Sequence, residues 1–186
     1  SVVGLTSLGM TFVILTAGID LSVGSILALT TLAIAGLKPY GPVASLAGGL
    51  AIALICGWAN GVITTKGRIQ PFIVTLGMMT ALVGVGLAYS DGQPVIGVPA
   101  SVAWIGRGRL AGVPVQALLF IVMAVASAVI LRMTRYGRHV YAVGGNAEAA
   151  RLSGVPVDRI RLIAYCLSGL FAGLGGLVMS TQLNIG

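Results

Sequence analysis

Charge is scarce in this chain: 8% of its 186 residues are Asp, Glu, Lys or Arg, against about a quarter in ordinary soluble domains. The four carboxylates, Asp20, Asp91, Glu148 and Asp158, lie far apart and suggest no acid/base pair. His139 is the sole histidine, and Cys56 and Cys166 lack ligand spacing, so no metal site is expected. Both cysteines sit inside apolar runs and read as small buried apolar residues. Neither Lys38 nor Lys66 belongs to a G-x-x-x-x-G-K-S/T loop, which removes the phosphate cradle of a P-loop ATPase. No catalytic residue and no cofactor of its own are therefore expected, and the chain reads as a non-enzyme. No cleavable signal peptide is visible.

Apolar residues fill the space that charge leaves. They make up 57% of the chain, mean hydropathy is +1.04, and 28 residues are glycine. This is the composition of an all-α, polytopic integral membrane protein, in which small residues let helices approach where lipid supplies no hydrophobic drive between them. Four uncharged runs have spanning length: residues 43–63, 72–89, 113–131 and 162–179. The chain is expected to be a single transmembrane domain over 1–186. It opens inside an apolar run without an initiator Met and stops soon after another, which reads as a fragment with helices missing at both ends.

Positive charge orients the spans. With the loop 132–161 placed in the cytoplasm, Lys66, Arg68, Arg132, Arg135, Arg138, Arg151, Arg159 and Arg161 all fall inside. Only Lys38, Arg107 and Arg109 fall outside, as the positive-inside rule expects. The net charge of +7 is thus a topology signal and gives no reason to expect nucleic acid.

Asp20 is the one carboxylate in the long apolar tract 1–37, and it stands between Gly18 and Gly24 and beside Ser22 and Ser25. An ionisable residue in such a tract marks a functional site by default, and paired glycines suggest a broken helix near 18–24 that aims backbone groups at a translocation pathway. Gly18, Asp20, Ser22, Gly24 and Ser25 are the pathway candidates. Asp20 has a plainer reading too, as the N-cap of a half-helix that starts near Ser22. Both stay open, with the cap favoured. Residues 1–37 can form one broken crossing or two short ones; one is favoured, because a tight hairpin at membrane depth would leave more backbone groups unpaired. Asn60 reads as an interhelical hydrogen-bond donor, and Gly57/Gly61 and Gly169/Gly173 as close-packing pairs. Trp104 reads as an interfacial anchor.

The cytoplasmic loop carries a second signal. Asn146 is a good N-cap, Glu148 suits the first turn, Arg151 the last, Gly154 the left-handed cap, and Pro156 blocks continuation. That specifies a short helix of about two turns near 146–153, marginal alone in water and so needing something to pack against. Asp158 is placed to cap the spanning helix that follows. The short helix is either a solvated loop helix or a docking element for a cytoplasmic partner.

The stretch from Gly9 to Ser25 resembles the signature of permease subunits of bacterial ABC importers for monosaccharides, the ribose, xylose and arabinose group related to branched-chain amino-acid permeases. The stretches Thr65 to Met79 and Thr134 to Gly154 and the region at Ser168 are similar to the same family, and the likeness runs through essentially the whole chain. The resemblance implies a multi-pass inner-membrane subunit that pairs with a second permease subunit. It also implies cytoplasmic ATP-binding subunits, where ATP and Mg would sit, and a periplasmic sugar-binding protein. Glu148, Ala149, Ala150 and Gly154, with Asn146 and Arg151, resemble the coupling helix of such permeases. A different class stays open beside it, a secondary transporter using Asp20 for proton or ion coupling. A membrane scaffold that recruits a partner through residues 146–153 is a third.

Overall fold

The computed structural model describes residues 1–184. In chain order its helices are α1 (Val2–Ile14), α2 (Val23–Gly36), α3 (Pro42–Lys66), α4 (Pro71–Ser90), α5 (Ala100–Arg107), α6 (Val115–Met133), α7 (Arg135–Gly145), α8 (Ala147–Leu152) and α9 (Val157–Leu183). The only strands among the described residues are β1 (Arg109–Leu110) and β2 (Val113–Pro114), a two-residue antiparallel pair with Arg109 opposite Pro114. Helices α3, α4, α6 and α9 are long and apolar enough to cross a membrane. Prolines 42 and 71 open α3 and α4, where a missing N–H costs nothing.

Helix α9 is the axis of the bundle, with α1, α2 and α3 packed around it. Small residues make this possible. A Cβ added at Gly57 would collide with the Tyr165 carbonyl oxygen, and one at Gly169 with that of Ala53, so α3 and α9 touch backbone to backbone. The close packing expected of the glycine pairs is what forms. Around this contact lie two apolar clusters, one of Leu5, Phe12, Val13, Tyr165, Phe171 and Val178, the other of Ile26, Ala53, Leu82 and Ala172.

Contacts along α9 fix the direction of each neighbour. Gly175 faces Val2 and Thr6, while Ser168 and Phe171 face Gly9, so α1 descends antiparallel to α9. Gly176 faces Leu27 and Thr30, and Leu177 clusters with Ile34, so α2 climbs back beside α9. Residues 1–37 therefore double back through a non-helical turn at 15–22, and the single broken crossing favoured from the sequence does not form. A hairpin at membrane depth threatens unpaired backbone groups. The turn answers it: Thr16 and Gly18 N–H both reach the Val13 carbonyl, Ser22 N–H reaches Asp20, and the Ile19 carbonyl accepts from Tyr165. Ala17 takes the left-handed conformation needed for the reversal, at φ 58°.

The two ends of the bundle carry different caps. At one end α5 seals Ile34 and Leu177 with Val98 and Val102, and Arg107 donates to the Gln182 carbonyl. At the other, α7 and α8 fold over the start of α9, burying Val140, Val143, Ala150, Val157 and Ile160 in one cluster. The sequence treats residues 135–145 as loop, but they form α7, an amphipathic helix whose N-terminus is capped by the Thr134 hydroxyl accepting from Gly137 N–H. Arg68, Arg151 and Arg161 share this second end, and Lys38 lies against Gly97 at the first, as the charge split requires.

Candidate functional site

The turn between α1 and α2 is where buried polar groups converge. Asp20 is fully buried, as are Thr16, Ser22, Asn60 and Ser168. Its Oδ1 accepts from Ser22 N–H at 3.0 Å and from the Ser22 hydroxyl at 2.6 Å, and its Oδ2 accepts from the Ser168 hydroxyl at 2.7 Å. Asn60 Nδ2 donates to Ser22 Oγ at 2.8 Å, so one carboxylate ties the turn to α3 and α9 together. The Asn60 reading as an interhelical donor agrees with this contact. Above the carboxylate, Tyr165 donates to the Ile19 carbonyl at 3.2 Å. Thr75, from α4, approaches the same oxygen at 3.5 Å.

The structure corrects the cap reading in detail. The N-cap of α2 is Ser22 itself, and Asp20 stands two residues earlier, accepting from one backbone N–H in a local turn and from two hydroxyls. Its charge lies at the positive end of α2, which favours an anion there. No basic side chain joins the network, since the one ion pair among the described residues is Arg151–Asp158. Such a carboxylate is held by oriented dipoles alone. Tyr165 and Ser168, three apart on one face of α9, are partners that sequence reasoning did not assign to this site. Their signal was two polar side chains on one face of an apolar helix.

The five pathway candidates do not share one surface. Gly18 packs under Tyr165 and Val13, where a Cβ would come within 3.0 Å of each, and it lines a cavity that opens at the α7–α8 end. Asp20 and Ser22 lie buried behind that cavity, Ser25 borders a smaller groove between α2 and α4, and Gly24 is exposed with open space at its Cβ. The cavity measures about 560 Å³ and its wall includes Thr16, Thr64, Arg68, Arg151 and Arg161.

Helix α8 forms over six residues between the caps Asn146 and Ser153, close to the two turns expected. Asn146 caps it by accepting from Ala149 N–H at 3.0 Å, Glu148 stands in its first turn, and Gly154 takes φ 82° past its end. Ala150 is buried against α7 and α9, which supply the packing that so short a helix needs. Glu148, Ala149 and Arg151 face outward, and Leu152 is 84% exposed. Asp158 does not cap α9, contrary to expectation. It pairs with Arg151 at 2.8 Å, because α8 folds back over the first turn of α9, and the bond pushes the Arg151 guanidinium further up from its ordinary value.

Residues 1–186 match the family described as the permease component of branched-chain amino acid transport systems. A ribose import permease protein of Escherichia coli K12 is 44% identical over 191 residues, covering 99% of this chain and 59% of its own length. The ribose import permease protein of Bacillus subtilis is 42% identical over 185 residues, covering 97% and 58%. A D-allose transport system permease protein of Escherichia coli K12 is 35% identical over 189 residues, covering 99% and 57%. The chain thus spans under two thirds of the length of these relatives. No solved structure matches.

Proposed function

The chain belongs to the family of branched-chain amino acid transport system permease components, and from that premise we propose that it forms the core of the membrane subunit of an ATP-driven importer. Its cargo is a monosaccharide of the ribose type, carried across the bacterial inner membrane. A second permease subunit, cytoplasmic ATP-binding subunits and a periplasmic sugar-binding protein complete the machine. ATP and Mg belong to the ATP-binding subunits. Relatives named for ribose reach 44% identity against 35% for the allose relative, which favours ribose. The family match lends nothing to the reading of Asp20 as an ion-coupling group.

The observation that carries the reading is α8. A capped helix of six residues, anchored underneath by Ala150 and presenting Leu152, Glu148 and Arg151 outward beside the spanning helix α9, has the form of a knob that transmits force from a soluble partner. The Arg151–Asp158 pair ties it to the first turn of α9, so a push on α8 reaches the axis of the bundle. From there the Asp20 network passes it to the turn of α1 and α2, near which Gly18, Ser22, Gly24 and Ser25 would adjust the pathway. Selectivity for the sugar rests chiefly with the binding protein, since a pathway meets its cargo only in passing. The test is co-purification of the full-length permease with its ATP-binding subunit. Leu152→Asp should lower recovery of the ATP-binding subunit several-fold while leaving the permease folded, because Leu152 is exposed and buries nothing within the chain. Undiminished recovery would remove α8 from the docking surface.

A further inference from the structure

The cavity beneath the α1–α2 turn has a chemistry that the transport reading leaves unused. It holds about 560 Å³, within the range of small-ligand sites. Three arginines line it from three separate elements: Arg68 from the α3–α4 loop, Arg151 from α8 and Arg161 from α9. One carboxylate, Asp158, answers them, and it is taken by Arg151. Arg68 and Arg161 have no ion-pair partner among the described residues. Thr64 also lines the cavity, 93% buried, with its hydroxyl oxygen enclosed beside the Tyr165 hydroxyl.

We infer that this cavity is a binding site for a phosphate-bearing anion at the cytoplasmic face of the membrane, held by Arg68 and Arg161. Arginine suits the role because its planar fork matches two phosphate oxygens at once. A sugar alone would leave both positive charges without a counterion. Exposed apolar side chains close to Arg68 in the chain, of which Ile69 lines the cavity itself, point to one source of the anion. Ile63, Ile69, Phe72 and Ile73, which flank Arg68 in sequence on α3, the loop and α4, are all more than a third exposed, so an acyl chain could lie along them while a headgroup fills the cavity. Basic pockets between spanning helices on this side of a membrane take anionic headgroups in this way. Bound there, the anion would join the α3–α4 loop to α9 directly under the turn that Thr16 and Gly18 form.

Binding is measured on the full-length protein in detergent, by native mass spectrometry and thermal shift, with three probes: short-chain phosphatidylglycerol, short-chain phosphatidylcholine and inorganic phosphate. The expected result is saturable binding that weakens with salt and prefers phosphatidylglycerol or phosphate to phosphatidylcholine. Arg68→Gln with Arg161→Gln should weaken it by roughly tenfold or more. Arg132→Gln, on the same side but outside the cavity, should not. Phosphatidylglycerol binding with no effect of phosphate identifies a lipid headgroup; equal protection by phosphate identifies a free anion. Binding that survives the paired Arg substitution overturns the proposal, as does loss of binding to the ATP-binding subunit in that variant with no anion bound by the wild type. Sugar uptake enters none of these readouts, so the proposal stands or falls apart from the transport reading.

Discussion

Replacing Asp20 by Asn and by Ala separates what its geometry does from what its charge does. In the folded chain the carboxylate accepts from Ser22 N–H, Ser22 Oγ and Ser168 Oγ, all in a fully buried place. Asn keeps the arrangement: its Oδ1 can accept both Ser22 donors, and its amide can donate to a Ser168 hydroxyl rotated to receive it. It also relieves the burial of a charge that has no basic partner, so the net change for Asp20→Asn should be within about 1 kcal/mol of zero. Ala strands at least two buried donors at roughly 1–3 kcal/mol each, so Asp20→Ala should cost about 2–6 kcal/mol. The assay is reversible unfolding of the full-length protein in mixed micelles, with sugar uptake measured alongside. Should Asp20→Asn prove as destabilising as Asp20→Ala, the dipole-held network is the wrong account. An Asn variant that assembles normally yet transports nothing would show that the negative charge itself is used.

Two glycines give an internally controlled pair: Gly169→Ala should cost roughly 1–3 kcal/mol, because its Cβ meets the Ala53 carbonyl oxygen, whereas Gly24→Ala, with open space, should cost nothing measurable in the same thermal assay. Single cysteines introduced as Asp91→Cys and Ser153→Cys, in a background lacking Cys56 and Cys166, should label from opposite sides of the membrane. Labelling of both from outside intact cells would refute the orientation drawn from charge.

What could be read in the sequence was what one helix, one cap or one loop decides by itself. Spans of about twenty apolar residues declare themselves by length, and the ends of α3, α4, α6 and α9 fall within a few residues of the runs that predict them. Asn146 and Gly154 declared the ends of α8 because a cap is a local contract between a side chain and the next turn. Asp20 stood out as a lone carboxylate in an apolar tract, but its partner Ser168 lies 148 positions away and Asn60, which donates to Ser22, lies 38 positions from that serine, and no local rule reaches that far. The hairpin of α1 and α2 was missed for the same reason. Of the backbone groups that make it look costly, the Ile19 carbonyl is satisfied by Tyr165, a residue from the other end of the chain. Asp158 went to Arg151 instead of to a helix end because the fold of α8 over α9 brought a stronger partner within 2.8 Å.

Uptake into proteoliposomes tests the central claim most directly. Full-length permease reconstituted with its ATP-binding subunit and the sugar-binding protein should accumulate labelled ribose only when ATP is supplied on the α8 side, and omission of the ATP-binding subunit should abolish accumulation. Accumulation driven by a proton or sodium gradient, with the ATP-binding subunit absent, would contradict it.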